Sequence, residues 1–253
     1  MVFYFSATGN SKYAAERIAN EIGDKSMYVV EYMERGNRMY AAGENESVGI
    51  VTPTYFGGLP KPMHDFLDML EIGGGSGYVF FVSTCGTTTG GTGTFARHIL
   101  RGKGVEISAF FDLRMPDAWT PVFDLTDKEK VKTTNEAAET ELSEILMRIS
   151  RQAKGNFMHH KFSALLSGIY YLSYGRKSRT RNFTVGDGCT GCGLCALKCP
   201  EHAIEMRDKH PAWIKESCAV CLGCLHRCPE FAIQYGKNTK KHGQYLNPNT
   251  SVF

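Results

Sequence analysis

One unit occurs twice in this chain. Residues 189–204 read CTGCGLCALKCPEHAI and residues 218–233 read CAVCLGCLHRCPEFAI, at a constant offset of 29. Four Cys, Pro, Glu, Ala and Ile coincide, and eight of the nine cysteines lie in these two stretches. Each copy is too small to build a core alone, so the repeat predicts a pseudo-twofold module. Each has the spacing C-x2-C-x2-C-x3-C-P. Three cysteines at three-residue steps let one tight loop surround a cubic cluster with thiolates. Zinc sites separate C-x2-C pairs by a longer insert instead of packing four cysteines into eleven residues. The start of the chain, MVFYFSATGN, has no basic segment or cleavage site. A cytoplasmic location without disulfides is therefore the expectation.

Length and composition bound the rest. The chain has 253 residues, enough for one or two domains. With 42% hydrophobic and 22% charged residues it is neither disordered nor collagen-like. Its longest apolar stretch, residues 162–174, is interrupted by Ser163, Ser167, Gly168 and Ser173. That falls short of the ~20 residues needed to cross a bilayer. Residues 1–155 carry 16 basic and 20 acidic residues, for −4, whereas residues 156–253 carry 13 and 6, for +7. No nucleic-acid motif surrounds the surplus Lys161, Arg176, Lys177, Arg179 and Arg181, so a protein partner surface is the better reading.

Residues 1–154 alternate strand and helix signals. Apolar runs at residues 2–5, 27–30, 48–52, 78–83 and 105–113 read as strands. Residues 10–22, 60–70, 95–100 and 128–153 have helical spacing. Such alternation predicts an α/β domain with a mostly parallel sheet covered on both faces. Residues 155–182 form a helical and basic junction, and residues 183–253 hold the cysteine repeat and a tail. Within the junction Phe157, Phe162, Leu165, Ile169 and Leu172 form an apolar stripe. Packing between two domains is the main reading. An interfacial membrane helix with a basic flank, over residues 157–181, is the lesser one.

Three loops follow strand candidates at their C-terminal ends, where open α/β sheets bind ligands. Ser6-Ala7-Thr8-Gly9-Asn10-Ser11 offers hydroxyls and free N–H groups at a helix start, which suits a phosphate. Helix capping alone explains such residues equally well. Thr52-Pro53-Thr54-Tyr55-Phe56-Gly57-Gly58 and Ser83-Thr84-Cys85-Gly86 complete the set.

At these loops residues 1–152 resemble flavodoxins. The resemblance implies a flavodoxin-like doubly wound parallel sheet in the order 2-1-3-4-5 and an FMN site. It assigns the phosphate to Ser6, Thr8, Gly9, Asn10 and Ser11, and the ring-stacking aromatic to Tyr55. Pro53, Thr54, Phe56 and Gly57 would line one wall, and Thr84, Cys85 and Gly86 the other. Ser6 and Ser11 stand where Thr is more usual. TTTGGTG at 87–93 lacks the acidic residue and aromatic often found there. Residues 183–236 are similar to bacterial-type two-cluster ferredoxins, small α+β modules in which the fourth Cys of each motif ligates the other cluster. That implies one [4Fe–4S] cluster on Cys189, Cys192, Cys195 and Cys228 and a second on Cys218, Cys221, Cys224 and Cys199. The domain order resembles flavodoxin–ferredoxin fusion proteins of anaerobic bacteria and archaea.

The function this implies is electron transfer between two clusters and FMN, linking one-electron carriers, as redox protein partners, to a one- or two-electron acceptor. The alternative is an FMN-dependent reductase with its own small substrate, and no acid–base constellation in the sequence supports it. A scaffold that has lost FMN is opposed by the intact phosphate loop. Cys85, outside the repeat, reads as a small buried hydrophobe. His159 and His160 lack a third ligand at metal spacing and read as solvated. Tyr170, Tyr171 and Tyr174 read as core or junction packing.

Overall fold

The computed structural model describes residues 1–43, 46–74, 77–160 and 164–252, without the side chains of 164–166, 170, 176 and 177. The first half consists of β1 (Val2–Tyr4), α1 (Asn10–Glu21), β2 (Ser26–Tyr28), α2 (Val29–Glu34), β3 (Met39–Ala41), β4 (Ser47–Pro53), α3 (Lys61–Met69), β5 (Glu71–Gly73), β6 (Tyr78–Cys85), α4 (Thr92–Arg101), β7 (Ala109–Arg114), α5 (Lys128–Ser150) and β8 (Gly155–Asn156). Six of these strands form one sheet, β2-β1-β4-β6-β7-β8, with every pairing parallel. The five long-range strands run in the expected order 2-1-3-4-5, and β8 extends the edge.

Two apolar clusters cover the sheet. Ala14, Ile18, Leu142, Ile145 and Ile149 of α1 and α5 pack on one face. Met63, Phe66, Leu67, Ala96 and Leu100 of α3 and α4 pack on the other. β6 is buried along its whole length, as a central strand of a two-sided sheet must be. The second strand stops at Tyr28, and Val29 and Val30, expected in it, open α2 instead. Both are buried there, so packing overrides the strand preference of β-branched residues.

The second half holds α6 (Ala164–Lys177), β9 (Phe183–Val185), α7 (Leu194–Leu197), β10 (Ile204–Arg207), β11 (His210–Trp213), α8 (Gly223–His226), β12 (Ile233–Tyr235) and α9 (Thr239–His242). β9 pairs antiparallel with β12, and β10 with β11. Its core of Phe183, Val220, Leu222, Leu225, Ile233 and Tyr235 continues into Tyr174 and reaches Tyr55, Phe56 and Trp119 of the first half. Among the described residues no helix is long and apolar enough to cross a membrane.

The face of α6 differs from the expected stripe. Ile169 is 60% and Leu172 78% exposed, whereas Tyr174 is 8% exposed. Phe162 and Lys161, and the side chains of Leu165, Tyr170, Arg176 and Lys177, lie outside the described residues. The inward positions are Ser167, Tyr171 and Tyr174. The tyrosine hydroxyls find backbone acceptors, Leu59 O at 2.8 Å for Tyr171 and Ala219 O at 2.8 Å for Tyr174. Tyr171 and Tyr174 thus pack the junction as expected of them, each with a polar partner for its hydroxyl, whereas Ile169 and Leu172 of the expected stripe face outward.

Candidate functional site

The C-terminal ends of β1, β4, β6 and β7 frame one cleft. Ser6, Thr8, Asn10, Ser11, Pro53, Thr54, Tyr55, Phe56, Gly57, Thr84, Cys85 and Gly86 all line it. Gly9 lies in the same loop, at φ +100°, and its N–H donates to Ser6 Oγ at 3.1 Å. α1 starts directly after it with no side-chain cap and no acidic residue in its first turn. The positive end of the helix and its free N–H groups therefore stand open, which suits a phosphate. Ser11 Oγ lies 2.8 Å from Thr84 Oγ1, tying two of the loops together. The Asn10 side chain is turned elsewhere. Its Nδ2 donates to Pro116 O at 3.1 Å, and its Oδ1 accepts from Tyr245 and Asn247.

Tyr55 to Gly58 form a tight reverse turn closed by two backbone bonds of 2.9 Å. Phe56 at φ 49° and Gly57 at φ 73° occupy its centre. A bulky residue in the left-handed region is strained and persists only where its surroundings hold it. Here Phe56 stacks on Tyr174 at 5.1 Å and meets the edge of Trp119 at 5.0 Å. The glycine-rich stretch at 87–93 packs beneath. Gly91 N donates to Gly57 O at 2.7 Å, and a β-carbon on Gly90 would come within 2.3 Å of that oxygen.

Three sets of contributors were not expected from sequence. Pro116, Asp117, Ala118 and Trp119, with Phe123, close one side of the cleft after β7. They follow a C-terminal strand end, the same signal that singled out the other loops. Val220 and Cys221 enter from the cysteine module. Residues 244–252 return to the phosphate-type loop. Asn247 N donates to Thr8 O at 2.8 Å, and Thr250 Oγ1 to Glu16 at 2.6 Å. Gln244 ties this strap to the carbonyls of Leu225 and Cys228, at 2.7 and 2.8 Å. No local motif marks it.

Cys85 lies in the cleft wall, 7% exposed. Burial, and then the carboxylates of Asp112, Glu141 and Asp117, push its thiol far above the ordinary range. His160, expected to be solvated, is only partly exposed and reaches Asp112 at 3.2 Å beside Glu141. Asp112, remote in sequence, also accepts the backbone N–H groups of His159 and His160. His159 is exposed.

The eight repeat cysteines divide between two small cavities. One is lined by Cys189, Cys192, Cys195 and Cys228, the other by Cys199, Cys218, Cys221 and Cys224. Each thus draws three cysteines from one copy and the last from the other. Cys199, Cys218 and Cys228 accept backbone N–H groups of Ala203, Val220 and Ala232 at 3.3, 3.4 and 3.3 Å. Burial pushes the Cys221 thiol up to about 11 and Cys218 to about 12. Buried thiols of this kind become thiolates when a metal's charge compensates them. Among the described residues, no three cysteine sulfurs lie within 4.8 Å of one another, whereas four thiolates on one zinc at ~2.3 Å are far closer. The buried Arg227 guanidinium has an orphaned Nε and packs near Cys221, so a cationic group awaits an anion there. These observations fit an iron–sulfur cluster better than a single ion.

Comparison with known proteins agrees. Residues 1–143 match the family model of a flavodoxin domain, and residues 188–233 that of a 4Fe-4S dicluster domain. No curated protein matches the chain. Among solved structures it is similar to that of the Trp repressor binding protein from Bacillus subtilis. That match has 12% identity and a TM-score of 0.34, covering 60% of this chain and 96% of the other. The two domains give the chain an electron-transfer or redox role and imply redox partners. The chain belongs to the flavodoxin domain family, with its flavodoxin domain followed by a ferredoxin-type 4Fe-4S domain.

Proposed function

We propose that the chain is an electron-transfer flavoprotein that holds one FMN and two [4Fe–4S] clusters and connects one-electron carriers with a one- or two-electron acceptor. The observation that carries this reading is Cys221, which lines both the cleft and the cavity of Cys199, Cys218 and Cys224. When bound, the clusters supply single electrons and FMN accepts one or two; the protein sets distance, access and potential.

In this reading the N–H groups of residues 8–11 and the hydroxyls of Ser6, Thr8 and Ser11 hold the phosphate. Tyr55 and the turn behind it form one wall of the ring site, and Thr84, Cys85 and Gly86 the other. Cys199, Cys218, Cys221 and Cys224 hold the cluster nearer the cleft. Cys189, Cys192, Cys195 and Cys228 hold the outer one, where exposed Cys192 offers external carriers an approach. Trp119, Phe123 and Val220 exclude water from the space between cleft and module.

Anaerobically purified protein should contain about eight iron and eight sulfide per chain, from two clusters of four, together with one FMN. Thr8→Glu should place a carboxylate against the phosphate and abolish FMN binding while leaving iron unchanged. Full flavin occupancy in that variant would overturn the phosphate assignment. Turnover of a small substrate without any protein acceptor would favour the reductase alternative.

A further inference from the structure

We propose that Arg227 sets the redox order of the two clusters, by making the one on Cys199, Cys218, Cys221 and Cys224 the easier to reduce. This rests on the cluster reading above.

The two copies of the repeat differ in how they place one cation. Lys198 and Arg227 occupy equivalent positions, each directly before the last Cys of its motif. Lys198 is exposed, whereas Arg227 is only 8% exposed. Arg227 precedes a ligand of the outer cluster, yet its side chain reaches toward the inner one. A β-carbon on Gly223 would lie 3.0 Å from Arg227 Nη1 and 3.6 Å from Cys221 Sγ, so guanidinium and thiol crowd the same point. Nη1 donates to Lys198 O at 3.1 Å, and Nε has no partner. Among the described residues no carboxylate forms an ion pair with Arg227.

A buried charge without a counter-ion is costly, and proteins retain one where an anion compensates it. Four thiolates around an iron–sulfur core supply that anion. Reduction adds one electron and breaks no ligand bond, so the negative charge beside Arg227 grows. The nearby cation stabilises the reduced form and raises the potential, because net charge is one of the determinants of cluster potential. Arg227 stands behind Cys221 and not in the cavity lining itself, whose charged side chain, Glu201, has Lys61, Lys215 and Asp65 around it. The outer cavity likewise has one acid, Glu230, and no Lys or Arg in its lining, so the difference between the two lies in Arg227 behind Cys221. The repeat is thus symmetric in its ligands and asymmetric in its field. Electrons entering at the exposed end settle on the cluster that abuts the flavin cleft.

The test is an anaerobic redox titration of the full chain, with both clusters followed by EPR and assigned through Cys189→Ser and Cys218→Ser. Arg227→Gln removes the charge and keeps a donor for Lys198 O; Arg227→Lys keeps the charge. Arg227→Gln should lower the reduced-to-oxidised ratio of the inner cluster about tenfold at fixed potential, a midpoint ~59 mV more negative for a one-electron couple. The outer cluster should not move. Arg227→Lys should remain near the native value, and Lys198→Met should shift neither cluster. Arg227→Met serves if Arg227→Gln does not fold. An unchanged inner potential, or equal shifts of both clusters, overturns the proposal. Fewer than about eight iron per chain in the native protein overturns the cluster reading itself, and this inference with it.

Discussion

Docking of the two halves has a specific anchor, and removing it should slow electron delivery to the flavin domain. Tyr174 is the side chain to change. It is 8% exposed, stacks on Phe56 at 5.1 Å, meets Tyr171 at 5.6 Å and donates its hydroxyl to Ala219 O at 2.8 Å. Truncating a buried aromatic to Ala costs about 3–5 kcal/mol. Leaving the Ala219 carbonyl without its partner adds about 1 kcal/mol. Even the lower end of this sum, about 4 kcal/mol, corresponds to roughly a thousandfold larger undocked population, at ~1.4 kcal/mol per tenfold. The same change removes the support under the left-handed Phe56 and loosens the flavin turn. Stopped-flow reduction by a one-electron donor, followed by flavin absorbance at several protein concentrations, reads the effect. The native chain should show a first-order step independent of protein concentration. Tyr174→Ala should slow that step at least tenfold with both cofactors still bound. Ile169→Ser, on the 60% exposed outer face of α6, should behave as native. If Ile169→Ser is as damaging as Tyr174→Ala, or if the native rate rises in proportion to concentration, the docked arrangement is not the route.

Three further outcomes are expected. Cys228→Ser should damage the cluster whose other ligands are Cys189, Cys192 and Cys195, and EPR loss of the other cluster instead would refute the crossed assignment. The strap at 244–252 should hold the phosphate loop: Asn247→Ala removes the bond to Asn10 Oδ1, worth about 1 kcal/mol, and should weaken FMN roughly fivefold in a fluorescence titration, with deletion of 244–252 weaker still. Cys85, whose thiol burial drives upward, should resist alkylation at neutral pH in native protein, as intact mass will show, and Cys85→Ala should retain FMN.

Much of this protein is readable from short stretches of sequence. The cysteine motifs carry their own geometry, because ligands three residues apart are brought together by one loop whatever surrounds it. The same holds for Ser6–Ser11, where the glycine at φ +100° and the uncapped helix start are local properties. Alternating apolar runs were enough for a mostly parallel sheet, since one hydrophobic period distinguishes a buried strand from a covering helix; its strand order came from the resemblance of the loops to flavodoxins.

What tertiary structure decided lies in contacts between residues far apart in the chain. The inward face of α6 was misread because its sequence is apolar nearly all round, and only the pocket between Phe56 and Ala219 selects Tyr174 over Ile169. The strap from 244 to 252 has no periodicity or motif, and its role exists only because Asn247 lands on Thr8 and Asn10. His160 gained its partner in the same way, through an aspartate on a neighbouring strand. Repeat symmetry likewise made Lys198 and Arg227 equivalent, yet the fold buries Arg227 and leaves Lys198 in water. Equal ligand sets in unequal surroundings are invisible to spacing, because burial and field are set by whatever the rest of the chain packs against them.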